Sequence, residues 1–131
     1  MGSAEDRGGR LLLECRLDGG VAVVRVTGEV DVFTSGELRE GLLRVISDEN
    51  ERSLVLNLSG VSFIDSTGTG VLVGVWHRVR ATNGMLAVAA PSRQARGILE
   101  MTGLARMLRV YETESEAMRA CRPVARQGRR R

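Results

Sequence analysis

The stretch of this 131-residue chain richest in possible chemistry is Asp65-Ser66-Thr67-Gly68-Thr69-Gly70. An acid, hydroxyls and two glycines stand where a loop gives way to Leu72, Val75, Trp76 and Val79 at helical spacing. A helix N-terminus leaves about four backbone N–H groups unpaired and carries a partial positive charge. The Ser66 hydroxyl is therefore placed to be exposed, and a phosphate added to it meets a favourable field. The same residues also make a plain helix cap, with Asp65 or Ser66 accepting the first N–H bonds. Composition alone leaves both readings open.

Enzymatic chemistry fits less well. A Ser-His-Asp hydrolase needs Ser66, the single His77 and a carboxylate such as Asp31. His77 follows Ser66 by eleven residues on the same predicted helix, about 16 Å along its axis and beyond hydrogen-bond reach. A nucleophile elbow reads Gly-x-Ser-x-Gly, whereas Asp65 and Thr67 flank Ser66. A phosphate-cradling P-loop needs a lysine, and all 19 cations here are arginine. A Schiff-base lysine is excluded on the same ground. No enzymatic activity is expected, and no cofactor.

The elements that position Ser66 follow from periodicity. Leu11, Leu13, Cys15 and Leu17 alternate with polar residues as a strand with one apolar face, and Cys15 is expected to pack inward as a small hydrophobe. Asp18-Gly19-Gly20 turns the chain into a second strand, Val21 to Thr27. Thr34 or Ser35 is expected to cap a helix carrying Leu38, Leu42, Val45 and Ile46. Leu54 to Leu58 reads as a strand covered on both faces. Ser62 to Asp65 then leads into the Ser66 helix, which ends before an Asn83-Gly84 turn.

Met85 to Ala89 is another buried strand. Pro91-Ser92 opens a helix with Ala95, Ile98 and Leu99 inward, and Gly103 is placed to stop it. Leu108 to Tyr111 makes a last short strand, and Thr113 can cap a final helix running toward Ala120. The order β-β-α-β-α-β-α-β-α predicts an α/β fold, a mixed sheet of about five strands with about four helices packed against it.

Length and charge bound the rest. The chain is long enough for one domain with its own core. The boundaries expected are a polar arm over 1–10, a domain over 11–120 and an Arg-rich, disordered tail over 121–131. The net charge of +3 divides unevenly. Six arginines and no acid lie from Arg119 onward, so residues 1–118 carry 13 arginines against 16 acids, a net −3. The tail reads as a solvated end or, more sharply, as a salt-sensitive contact for an acidic partner or nucleic acid. With four aromatics, a base-stacking platform is not expected. One His and two scattered Cys do not make a structural zinc site. No apolar run approaches a membrane span and the start is polar, so a cytoplasmic protein with reduced thiols is expected.

Val61-Ser62-Phe63-Ile64-Asp65-Ser66-Thr67-Gly68 resembles the signature of STAS domains, specifically of anti-sigma factor antagonists, which carry Asp-Ser-Ser/Thr-Gly at a helix start. Gly28-Glu29-Val30-Asp31, Asn83-Gly84, Pro91-Ser92, Thr102-Gly103-Leu104 and Leu108-Arg109-Val110-Tyr111 match the same pattern in order. The resemblance spans roughly Leu11 to Met118. It implies a bacterial partner switch of the kind that governs stress response or sporulation. An anti-sigma factor that is an ATP-dependent serine kinase phosphorylates the Ser after the Asp. The unphosphorylated form binds that anti-sigma factor and frees a sigma factor, and a serine phosphatase resets the switch. No direct DNA or membrane binding is implied.

Carried over by position, the resemblance makes Ser66 the phospho-acceptor, with Asp31 and Asp65 beside it. Glu29, Thr67, Gly68 and Thr69 complete the switch loop and partner face. Thr69 departs from the larger apolar residue usual there, which bears on partner choice. The alternative in another class is a scaffold or sensory STAS module, binding a nucleotide, small ligand or regulatory protein without phosphorylation. Trp76 is expected in core or edge packing or as an interface anchor, and His77 on the helix surface.

Overall fold

Val21 to Val24 are buried at every position, as befits a central strand covered on both faces. In a computed structural model describing residues 10–49 and 53–122, they begin β2 (Val21–Val30), which lies between β1 (Leu12–Asp18) and β3 (Ser53–Ile64). β4 (Leu86–Ala89) and β5 (Arg109–Tyr111) extend the sheet in the order β1-β2-β3-β4-β5. β1 pairs antiparallel with β2, and all other pairs are parallel, so the sheet is mixed as expected. The register sets Val24 beside Leu56, Leu56 beside Val88 and Val88 beside Val110.

Two cores follow from the period-2 alternation of these strands. On one face Val24, Val26, Leu56, Leu58 and Val88 pack under α1 (Ser35–Glu49), α2 (Ser66–Ala81) and α3 (Arg93–Met101), through Leu38, Leu42, Leu72, Val75, Ala95 and Leu99. On the other, Val21, Val23, Val55 and Ala87 meet Ala117, Met118 and Cys121 of α5 (Glu114–Cys121). Ser92 and Thr113 cap α3 and α5 with their hydroxyls, on Ala95 N and Glu116 N.

The structure departs from the sequence reading at several points. Gly103 stops α3 at φ +81°, but the chain turns helical again for one turn, α4 (Leu104–Met107), giving five helices among the described residues. β3 runs twelve residues and does not end at Leu58, because β2 stays hydrogen-bonded alongside through two register shifts. Cys15 is exposed, not packed. It lies on an edge strand where α1 covers only the Leu13 end, Gly41 coming close against the Leu13 side chain, and Leu17 is likewise 50% exposed.

Cys121, assigned to the tail, is the buried last residue of α5 and belongs to the domain. Burial pushes its thiol up to about 11. Thr34 does not cap α1; its hydroxyl donates backward to Glu29 O at 2.7 Å and accepts from Asp31 N at 3.0 Å. The 1–9 part of the arm and the 123–131 part of the tail lie outside the described residues.

Candidate functional site

β2 and β3 end side by side, with Val30 paired to Ile64 and Asp65 N donating to Val30 O at 3.1 Å. The residues that follow, Asp31 and Asp65, are thereby brought together at the carboxyl ends of adjacent parallel strands. Asp31 folds its carboxylate into its own turn, accepting from Phe33 N at 2.9 Å and Thr34 N at 3.2 Å. Asp65 is the N-cap of α2. Its extended backbone leaves Oδ1 to accept from Thr67 N at 2.9 Å, Gly68 N at 3.3 Å and the Thr67 hydroxyl at 2.5 Å. The Thr67 hydroxyl, more than either amide, holds the Asp65 carboxyl below its usual range, against the opposing effect of burial.

Of the two residues that could cap the helix, Asp65 does so. Ser66 in the first helical position is left exposed. Its hydroxyl makes no hydrogen bond among the described residues, while its carbonyl accepts from Thr69 Oγ1 at 3.0 Å. Thr67 is exposed beside it. Gly68 and Thr69 are buried, so these two expected contact residues position the loop and do not present it. Gly68 is fixed by space: a Cβ there would come within 2.5 Å of Val30 Cγ1 and 2.7 Å of Ile64 Cγ1. Only glycine lets the first turn of α2 settle this close over the ends of β2 and β3. Glu29 contributes its carbonyl to Thr34, and its own side chain is exposed.

Sequence reasoning missed two contributors. Gln94 of α3 clasps the backbone of Ile64 with both ends of its amide, accepting from Ile64 N and donating to Ile64 O at 2.9 Å each. It fixes the end of β3 one residue before the cap. The chain at the ends of β2 and β3 also carries exposed apolar residues, Val32 at 63% exposure, Phe33 at 80% and Phe63 at 39%. Two of four aromatics in loop-flanking positions were the available signal. His77 stands on the same helix as Ser66, edge-on to Trp76 with ring centroids 5.0 Å apart, so the structure does not assemble a hydrolase triad. Among the described residues no group of three His, Cys, Asp or Glu could hold a metal ion, and no helix is long and apolar enough to cross a membrane.

The STAS domain model matches residues 13–117. An anti-sigma F factor antagonist of Paenibacillus polymyxa is 31% identical over 108 residues, 82% of this chain and 92% of that one. A crystal structure of an anti-sigma factor antagonist from Mycobacterium paratuberculosis superposes with a TM-score of 0.79 at 29% identity, over 87% of this chain and 96% of the other. SpoIIAA, a Bacillus cell fate determinant solved in both states, is 25% identical to this chain. Its unphosphorylated form matches with a TM-score of 0.73 over 88% of this chain and 99% of its own, and its phosphorylated form with 0.64 over 85% and 98%. With nearly the whole sheet and the Ser66 loop inside the matched span, the chain belongs to the STAS domain family, among the anti-sigma factor antagonists.

Proposed function

We propose that this antagonist is a phospho-switch whose acceptor is Ser66. Unphosphorylated, it binds an anti-sigma factor with serine kinase activity and so releases a sigma factor. The kinase transfers the γ-phosphoryl of ATP to Ser66 Oγ, with ADP leaving and the hydroxyl proton lost, and the complex separates. A serine phosphatase restores the hydroxyl. The observation that carries this reading is the Ser66 hydroxyl, exposed at the first position of α2 and without a hydrogen bond among the described residues. Asp65 supplies the cap in its place. That SpoIIAA exists in a phosphorylated form supports it.

The energetics agree. Phosphate brings about −1.5 to −2 charge at neutral pH. The terminus of α2 favours that charge by about 0.3–1 kcal/mol, offset in part by Asp31 and Asp65, so the fold tolerates it. A partner surface docked on Val32, Phe33 and Phe63 would have to desolvate it, at a cost of several kcal/mol. Incubation with ATP and candidate kinases, followed by mass mapping, tests the assignment. Phosphate on Ser66 is expected. Phosphate on Thr67 alone, or on neither residue with every kinase that binds the chain, would overturn it.

A further inference from the structure

At the opposite end of the sheet from Ser66, a cavity of about 820 Å³ opens between the last turn of α2, α4 and β5. Arg80, Arg106 and Arg109 line it, together with Trp76, Val110 and Tyr111, and no acidic residue does among the described residues. Among the described residues none of the three arginines forms an ion pair, although acids outnumber arginines over residues 1–118. Arg80 lies over the Trp76 ring at 5.0 Å, which holds its guanidinium on the cavity wall.

The second feature is the strand itself. β5 ends the sheet order, and no described strand pairs with its outer side. Tyr111 O accepts from Ala90 N at 2.9 Å on the β4 side. Successive residues of a strand alternate in direction, so the N–H and C=O of Val110, a residue that lines the cavity, face away from β4 along the open edge.

We propose that this trough docks an extended acidic segment of a protein partner, laid along the edge of β5 with its carboxylates on Arg80, Arg106 and Arg109. An open strand edge offers backbone pairing, and the guanidinium forks offer bidentate carboxylate contacts. The walls are polar and the trough is open, unlike the mostly apolar, enclosing pockets that take small molecules. The open edge of β5 favours a polypeptide over a nucleic acid, which has no backbone N–H and C=O ladder to pair with it. The site is separate from the Ser66 face and does not depend on phosphorylation.

The chain has a single Trp, and it lies in the trough. Its indole N–H signal in ¹⁵N NMR of the full chain therefore reports occupancy directly. The probe is a capped peptide of alternating Glu and Val, with alternating Lys and Val as its counterpart. A saturable shift of the Trp76 signal is expected with the acidic peptide only, with Kd of about 100 μM at low salt. Arg106→Gln with Arg109→Gln weakens it about tenfold or more, with circular dichroism unchanged. Arg130→Glu with Arg131→Glu, and Ser66→Asp, leave it as it was. An unmoved Trp76 signal, equal binding by the Arg106/Arg109 variant, or loss of binding on reversing the tail charges would overturn the proposal. So would displacement of the peptide by ATP or by a single-stranded oligonucleotide.

Discussion

Asp65 and Glu114 are both carboxylates held below their usual range, one at the Ser66 loop and one on the opposite face of the sheet. Every donor to Asp65 lies within its own turn, on Thr67 and Gly68. Glu114 is held from far along the chain, by Arg16 of β1 at 2.8 Å, Asn57 of β3 at 2.8 Å and Arg25 of β2 at 3.6 Å. Burial pushes Glu114 up most, and those partners together overcome it. A locally satisfied cap leaves the first turn of α2 free to change charge with little consequence for the interior. The long-range cluster fastens α5 to the sheet, with the buried Asn57 amide between them. One carboxylate belongs to the proposed switch loop, the other to the scaffold.

The sharpest way to break this division is to exchange the effects. Ser66→Asp should lower affinity for the anti-sigma factor about a hundredfold, near 2.8 kcal/mol, while urea denaturation moves by no more than about 0.5 kcal/mol. Glu114→Ala should do the reverse. It strands Asn57 Nδ2 and two arginines, a cost of about 1–3 kcal/mol in stability, and leaves partner affinity unchanged. If Glu114→Ala weakened the partner as much as Ser66→Asp, the two regions would not be separate. Calorimetric titration beside urea melts of the same samples decides it.

A smaller effect separates the cap from its charge. Asp65→Ala removes the acceptor for two amides and should cost about 1 kcal/mol. Asp65→Asn keeps a side-chain oxygen at the cap and should stay within a few tenths of a kcal/mol of the parent. Equal losses in urea melts would show that charge, not capping, is what the loop needs from Asp65.

What could be read ahead of the structure tracks the range of the interactions. The helix opening at Ser92, the Thr113 cap and the stop at Gly103 rest on residues a few positions apart, and these appear as expected. The Asp65-Ser66 signature named the loop, but which of the two capped the helix depended on a backbone angle. Contacts across the fold were not legible. Gln94 reaches Ile64 from thirty residues away, and nothing in a polar residue on the first turn of α3 marks that reach. Cys15 failed for a related reason. Its alternation is that of a strand packed on one face, but how far α1 extends over β1 is a tertiary fact. The Gly68 requirement came from the family pattern and acquired its physical cause only from the closeness of Val30 and Ile64.

The least of the expected effects is in pH, and it tests whether Glu114 works by charge or by shape. Its ordinary value is 4.5 and that of Asp65 is 3.8, and both are lowered in the fold. A carboxyl with a lowered folded value contributes stability above its unfolded value, and loses it as pH falls through the folded one. Both contributions are therefore whole at pH 7 and fade below about pH 4.5. Glu114→Gln keeps the shape and cannot charge, so its deficit against the parent should hold level from pH 7 to about pH 5 and shrink as pH falls below about 4.5. Asp65→Asn should follow the same course with a smaller amplitude, since hydroxyl and amide dipoles, not cations, hold Asp65. Salt should narrow the Glu114→Gln deficit at pH 7 by screening Arg16 and Arg25, both about half exposed. A deficit constant across pH and salt would mean that α5 is held to the sheet by fit and hydrogen bonding alone, and the contrast with Asp65 would then be one of burial, not of charge.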